Sequence, residues 1–442
     1  MKIKVRRKYW IGFFALILMV ALYFLLRTSL PQYSGRIPGL GIFLLIEYLV
    51  FNFVKDVSPV YNKSLKRILI FLWWLPVVLL TVFLLVASFI PLQEWNGFWK
   101  VYLPGFALMG IIAKTVLFTI LLIPLFFGIF RRVSGKHSKF SHYLLNLEKL
   151  FKRMAIILGS LAFVGLFIGS IHWVSKFKIR EFDLVVKDIP EALEGFRIVQ
   201  ISDIHLGSWT TLKPIEKAVS MINELNPDVV LFTGDMVNFS ATETVGFEIL
   251  KNVKSTYGVY AILGNHDYGD YVEWDSKTSK ENDFRILEQF YKKIGWKLLR
   301  NEHEVLEIDG ASILLAGVEN WSATHRFHRY GDMVATMKGA PDTDVSILMS
   351  HDPTHWEAEI LEEYPQFDIT LSGHTHGMQI GFEGLGLKWS PSQYIYKNWG
   401  GMYKKRSLKG HESKLYVNIG LGHIAYPGRV GILPEITLIT LK

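Results

Sequence analysis

Between residues 203 and 376, carboxylate, amide and imidazole side chains recur in five short clusters. They read Asp203-Ile204-His205, Gly234-Asp235, Gly264-Asn265-His266-Asp267, Ser350-His351 and Gly373-His374-Thr375-His376. An Asp-x-His pair at the end of a strand sends a carboxylate and an imidazole to one side, because side chains alternate. The glycine before Asp235 permits a tight turn, and one carboxylate has two oxygens with which to bridge two cations. Asn265 adds a neutral oxygen, and His351, His374 and His376 complete a mixed nitrogen and oxygen set. Two divalent ions are implied, and this donor chemistry suits Mn, Fe or Zn better than Mg or Ca. Each residue also has an ordinary explanation. Asp203 or Asp235 fits a helix cap, Asn265 fits a turn, and a lone histidine is usually structural. Five such clusters at similar places in the chain are hard to explain that way together.

Most of the clusters follow a short apolar run: 198–202, 229–233, 259–263, 346–349 and 369–372. Runs of this length and composition read as buried strands. Loops at the carboxyl ends of strands in an α/β sheet converge on one crevice. The apolar spacing of 211–226 and 283–294 predicts two helices, and strands alternating with helices predict an α/β layered domain. The polar stretch 268–282 is expected as a surface loop beside the site.

The chain has 442 residues and no cysteine, which excludes thiolate metal sites and disulfides. Residues 1–179 hold 22 Lys and Arg against four acids, while 180–442 hold 26 against 36. An acidic C-terminal half lacks the basic footprint of a nucleic-acid enzyme, so no nucleic-acid partner is expected.

Five apolar stretches occupy the basic half: 9–26, 39–54, 68–90, 103–130 and 154–174. A membrane span needs about 17–25 residues. The second stretch is short and carries Glu47. Basic residues number 5, 2, 4, 1 and 7 in segments 1–8, 27–38, 55–67, 91–102 and 131–153. That alternation fits five spans with a cytoplasmic N-terminus. The C-terminal half is then expected outside the cytoplasm. The first stretch lacks a small-residue cleavage site and reads as a retained anchor. Glu47 and Lys114 at membrane depth read either as a functional pair or as bundle-facing, snorkelling residues. The expected division is a transmembrane anchor over 1–178 and a catalytic domain over 179–442.

The series Asp-x-His, Gly-Asp, Gly-Asn-His-Asp, His and Gly-His-x-His resembles the calcineurin-like metallophosphoesterase superfamily over about 198–442. The tail around Trp389-Ser390-Pro391, 416–422 and 434–438 resembles its membrane-associated bacterial branch. The resemblance implies a two-sheet β-sandwich flanked by helices, in place of a plain doubly wound sheet. It implies one metal on Asp203, His205, Asp235 and His376, and a second on Asp235, Asn265, His351 and His374. It makes His266 a catalytic residue facing the scissile phosphate, with Asp267 orienting it and stabilising its charge. Purple acid phosphatases carry a tyrosine ligand three residues after the bridging Asp; here Asn238 stands there.

The expected activity is a membrane-anchored, metal-dependent hydrolysis of phosphate ester or pyrophosphate bonds, on small-molecule or lipid-linked substrates. Asn320, Trp321, Asn301 and Glu302 are candidates to line the substrate cleft, with packing or turn formation as the alternative. Arg429 is a candidate to hold a second phosphate, or else a surface ion pair. Competing readings are a UDP-diacylglucosamine-type pyrophosphohydrolase of lipid A synthesis and a non-catalytic metal-binding scaffold.

Overall fold

The computed structural model describes residues 36–54, 63–87, 89–90, 92–133, 139–324 and 326–442. They fall into two compact units, Met1–Ile90 with Leu103–Gly165, and Pro91–Tyr102 with Leu166–Lys442.

The first unit is helical. Its elements are α1 (Arg36–Val54), α2 (Lys63–Val86) and most of α3 (Gly97–Val133) and α4 (Lys139–Ile168), whose ends Gly97–Tyr102 and Leu166–Ile168 belong to the second unit. Among the described residues, three stretches are long and apolar enough to cross a membrane: Lys66–Val86, Gly97–Arg131 and Lys139–Trp173. Five spans were expected. The first, 9–26, lies outside the described residues. The second is helical, but its apolar core covers only Gly41–Asn52, too short to span alone. Helices α2 and α3 approach closely where Gly110 faces the Pro76 ring, the small-residue contact that lets apolar helices pack without water. Lys114 Nζ lies 2.9 Å from Glu47 Oε2, with both side chains nearly buried, and over the Trp73 ring. The two membrane-depth charges therefore neutralise each other.

The second unit holds two six-stranded mixed sheets. The first is ordered β1 (Lys178–Leu184), β14 (Glu435–Leu441), β2 (Arg197–Ile201), β3 (Val229–Phe232), β4 (Val259–Ala261), β5 (Trp296–Leu298). The second is ordered β12 (Gly401–Arg406), β13 (Glu412–Val417), β9 (Ile369–Ser372), β8 (Val345–Met349), β7 (Ala311–Gly317), β6 (Glu302–Ile308). β2 to β5 run parallel, as do β7, β8 and β9. Ile198, Leu231 and Ile262 from one side meet Ile313, Ile347 and Leu371 from the other in one core between the sheets. Helices α5 (Lys213–Glu224) and α6 (Lys277–Ile294) bury their apolar stripes on the outer face of the first sheet. Trp356 and Ile360 cover the outer face of the second. β3, β8 and β9 are buried along their whole length, and β2 from Ile198 onward, which is why they read as continuous apolar runs.

Part of the expected surface loop 268–282 is helix. α6 begins at Lys277 because the Ser276 hydroxyl accepts the Ser279 amide, an N-cap bond that satisfies a free helix donor. A short hairpin, β10 (Phe382–Gly384) and β11 (Leu387–Trp389), stands apart from both sheets.

Candidate metal centre

The five clusters meet where β2, β3, β4, β8 and β9 end. Asp203, His205, Asp235, His374 and His376 all carry positive φ, between 49° and 73°. Non-glycine residues rarely adopt this region, and local strain gathers at functional sites. The left-handed turns swing each side chain back over the strand ends.

Two groups of donors result. One atom each of Asp203, His205 and His376 lies within 4.8 Å of the others, and the same holds for Asp235, His351 and His374. His376 Nε2 is 3.2 Å from Asp203 Oδ1 and 3.0 Å from His205 Nε2. Asp235 Oδ2 is 3.1 Å from His351 Nε2 and 3.6 Å from His205 Nε2, so it sits between the groups. His374 Nδ1 is 2.7 Å from Asn265 Oδ1 and 3.3 Å from His351 Nε2.

Neighbours orient the candidate ligands, as outer groups do at metal sites. His351 Nδ1 engages the Thr233 carbonyl at 2.7 Å, turning Nε2 inward. Tyr396 Oη holds His374 Nε2 at 2.8 Å, which leaves Nδ1 for Asn265. The Asn265 amide donates to Tyr271 Oη, directing its oxygen inward. The His374 N–H donates to the Asp203 carboxylate. Nothing in sequence spacing marks Tyr271 or Tyr396.

This donor set fits divalent cations. His205 and His376 point the same kind of nitrogen at each other beside a carboxylate, which requires a proton or a cation between them. Burial opposes charge on Asp203 and Asp235, yet adjacent imidazoles hold both carboxyls below the usual range. Burial lowers His205 strongly, so its imidazole is neutral and free to ligate. His351 is pushed up to about 10: burial resists its charge, but Asp235 outweighs burial. A buried cluster that draws in positive charge this strongly suits metal binding.

His266 is half-buried and stacks on Tyr271, ring centres 4.3 Å apart. Its Nδ1 lies 2.8 Å from the Asn238 carbonyl. The same peptide group donates the Phe239 N–H to Glu243 Oε2, which also accepts the Asn238 N–H at 2.6 Å. Lys100 Nζ pairs with Glu243 Oε1 at 2.6 Å. The expectation that Asp267 orients His266 directly is not met. The Asp267 carboxylate is spent on the amides of Asp235, Met236, Val237 and Gly264, tying the β3 and β4 loops together. Burial and the Asp235 charge push it up to about 7, against the pull of those amides.

Four of the five expected substrate residues have other engagements. Arg429 is fully buried, and its guanidinium donates to the carbonyls of His376, Ile419, Gly420 and Gly422. It braces the His376 loop and presents no exposed surface. Asn320 is buried and donates to the His328 carbonyl. Trp321 stacks on His355 with the Arg329 guanidinium against its ring. Asn301 binds Glu319 and the Tyr330 carbonyl. A cavity of about 230 Å³ opens between Ala323, Pro353, Tyr396, Lys397 and Asn398. Tyr396 joins it to His374.

Residues 196–378 match the family model of the calcineurin-like phosphoesterases, and every candidate ligand lies inside that stretch. The chain is similar to an uncharacterised metallophosphoesterase, YkuE of Bacillus subtilis, at 29% identity over 62% of this chain and 89% of that protein. It is 30% identical to a transmembrane protein with a metallophosphoesterase domain from Danio rerio, over 62% of this chain and 59% of that one. It is 31% identical to the UDP-2,3-diacylglucosamine pyrophosphatase LpxG of Chlamydia trachomatis, over 52% of this chain and 79% of that protein.

Proposed function

We propose, from the premise that this chain belongs to the calcineurin-like phosphoesterase family and is a hydrolase of phosphoric ester bonds, that it acts at a membrane on lipid-linked phosphates. Asp203, His205, Asp235 and His376 would hold one divalent ion, and Asp235, Asn265, His351 and His374 a second. Two cations bound there would supply Lewis-acid charge for water activation and for the phosphoryl oxygens. Mn, Fe or Zn fits the donors best.

The chain's own groups do the rest. Nδ1–H of His266 donates to the Asn238 carbonyl, which leaves Nε2 to face a phosphoryl oxygen or to protonate the leaving oxygen. The observation that carries the reading is the pair of donor groups with Asp235 between them. The test is turnover of bis-p-nitrophenyl phosphate and p-nitrophenyl phosphate by the full chain in detergent with Mn²⁺, beside Asp235→Ala. Metal-dependent turnover that the variant lacks is expected. A metal-loaded wild type that turns over neither ester, nor any lipid phosphate, would leave the scaffold reading.

The functional division we adopt is an anchor over 1–178 and a hydrolase over 179–442. The apolar helices and the similarity to a transmembrane relative support membrane attachment. The basic 131–153 segment supports an extracytoplasmic hydrolase in a bacterial inner membrane. A C-terminal reporter active only in the cytoplasm would reverse that orientation. One relative favours a second reading: the LpxG similarity points to pyrophosphate cleavage in UDP-2,3-diacylglucosamine. A cytoplasmic reporter result together with release of UMP from that lipid would establish it.

A further inference from the structure

The hairpin β10–β11 has two unlike faces. Its register pairs Phe382 with Trp389, Glu383 with Lys388, and Gly384 with Leu387. Because side chains alternate along a strand, Glu383 and Lys388 share one face, while Phe382, Leu387 and Trp389 share the other. The polar face is tied down. Glu383 pairs with Arg180 and, at 3.6 Å, with Lys178. Lys388 Nζ donates to the Gly400 carbonyl and lies over the Trp399 ring. Among the described residues nothing covers the apolar face: Leu387 is 67% exposed, and Phe382 and Trp389 are exposed as well. Just beyond it, Tyr394 and Ile395 are exposed too.

The tip is unusual in the same direction. Leu385 and Gly386 form the two-residue turn, with φ of 53° and 76°. Turns of this kind favour Asn, Asp or Gly where φ is positive, and a bulky residue there is an outlier. This chain places a leucine at that point, and it is 96% exposed. An apolar group held at a cost, fully in the open, marks an interaction surface.

The position of the hairpin's base says what covers that surface. Ile380 bridges to Val430, and Val430 and Tyr426 pack on Gly169. Tyr426 Oη donates to the Leu166 carbonyl. Leu166 and Gly169 lie in the last turns of the apolar stretch Lys139–Trp173. From Trp173 to Lys178, the residue that helps hold Glu383, is five residues, a reach of at most about 18 Å. The end of a membrane-length helix and the base of the hairpin are thus one packed corner of the same unit. Exposed Trp389 and Tyr394 are of the residue types that settle at a membrane interface.

We infer that Phe382, Leu385, Leu387, Trp389, Tyr394 and Ile395 form a bilayer-inserted lip on the surface of this unit. The inference rests on the membrane reading above and deepens it. The lip lies between His376 and Tyr396 in the chain, and Tyr396 holds His374. A lip in the headgroup layer brings the site to the level of a lipid phosphate, so that the lipid need not leave the bilayer.

The chain has no native cysteine, so Leu385→Cys and Val334→Cys can each carry a single nitroxide label. Val334 is 76% exposed on the short helix Met333–Thr336, beside β6 at the far edge of the second sheet. The full chain is reconstituted in vesicles of phosphatidylethanolamine and phosphatidylglycerol. The label at 385 should collide several-fold more often with oxygen, and several-fold less often with an aqueous nickel chelate, than the label at 334. Equal nickel access at the two positions overturns the inference. So does dipolar broadening at 385, which would mean a second copy of the chain covers the hairpin. These readouts do not depend on activity, so a lip without lipid hydrolysis would refute only the substrate reading. A second variant, Leu385→Asp with Leu387→Asp, should lose several-fold of any turnover of a vesicle-embedded phosphate while keeping its rate on bis-p-nitrophenyl phosphate. Proportional loss on both substrates counts against the lip.

Discussion

His266 donates to a peptide carbonyl whose own N–H is held by the Glu243 carboxylate. A negative group on one end of a peptide polarises the other, and short hydrogen-bond chains reinforce each other in a dry interior. Two residue-scale predictions follow from that arrangement. His266→Ala should lower kcat by about 10²- to 10⁴-fold, the usual range for a lost acid–base group, while metal content by elemental analysis stays at the wild-type level. Parallel loss of metal would make His266 a ligand. Glu243→Gln keeps an acceptor but removes its charge. It should lower kcat with little change in KM or metal content, and Glu243→Asp should recover part of the rate. An unchanged kcat would mean that Glu243 serves only the Lys100 ion pair. Arg429 shows the opposite lesson. Its guanidinium chemistry suits phosphate in general, but burial among carbonyls commits it to the His376 loop.

At the scale of elements, the strand ends matter more than the strands. Five residues in left-handed turns place donors from two sheets over one point. The turns depend on bare backbone nearby. A Cβ on Gly373 would collide with Ser202 Oγ and the Asp203 carboxylate. Gly373→Ala should therefore bind less metal and lose activity, while far-ultraviolet circular dichroism stays close to wild type. Full metal occupancy in that variant would show that the β2 and β9 loops can separate without harm. The hairpin β10–β11 leaves its apolar face exposed. Two strands alone are marginal in water, and this pair rests on Glu383 and Lys388.

Across the whole molecule, charge is handled differently in the two units. In the helical unit the Glu47–Lys114 pair is nearly buried. Removing one member leaves an uncompensated charge, which costs about 3–5 kcal/mol in buried pairs. Lys114→Met should lower the thermal midpoint in detergent, and adding Glu47→Leu should restore much of it. If the double variant is no more stable than the single, the pair contributes more than neutralisation. In the catalytic unit, bound cations would supply the compensation. A chelator should abolish turnover and lower the unfolding midpoint of that unit, since an ion that binds only the native state stabilises it by mass action.

The chemistry was legible in the chain itself. Residue types and their place after apolar runs pointed to the side chains that the fold gathers into two groups, because buried parallel strands must be apolar throughout and their ends must carry the turns. The basic first half and its apolar stretches pointed to a membrane for the same kind of reason: composition alone sets what can be buried in lipid. Tertiary structure decided what depends on distant residues meeting. Tyr396 lies 22 residues from His374 and Glu243 lies 23 residues from His266, with no periodicity to join either pair. The family resemblance assigns Asp267 to His266, yet the fold spends its carboxylate on four amides. The end of an apolar helix lies beside the hairpin base only because Val430 packs on Gly169, a contact no local pattern encodes.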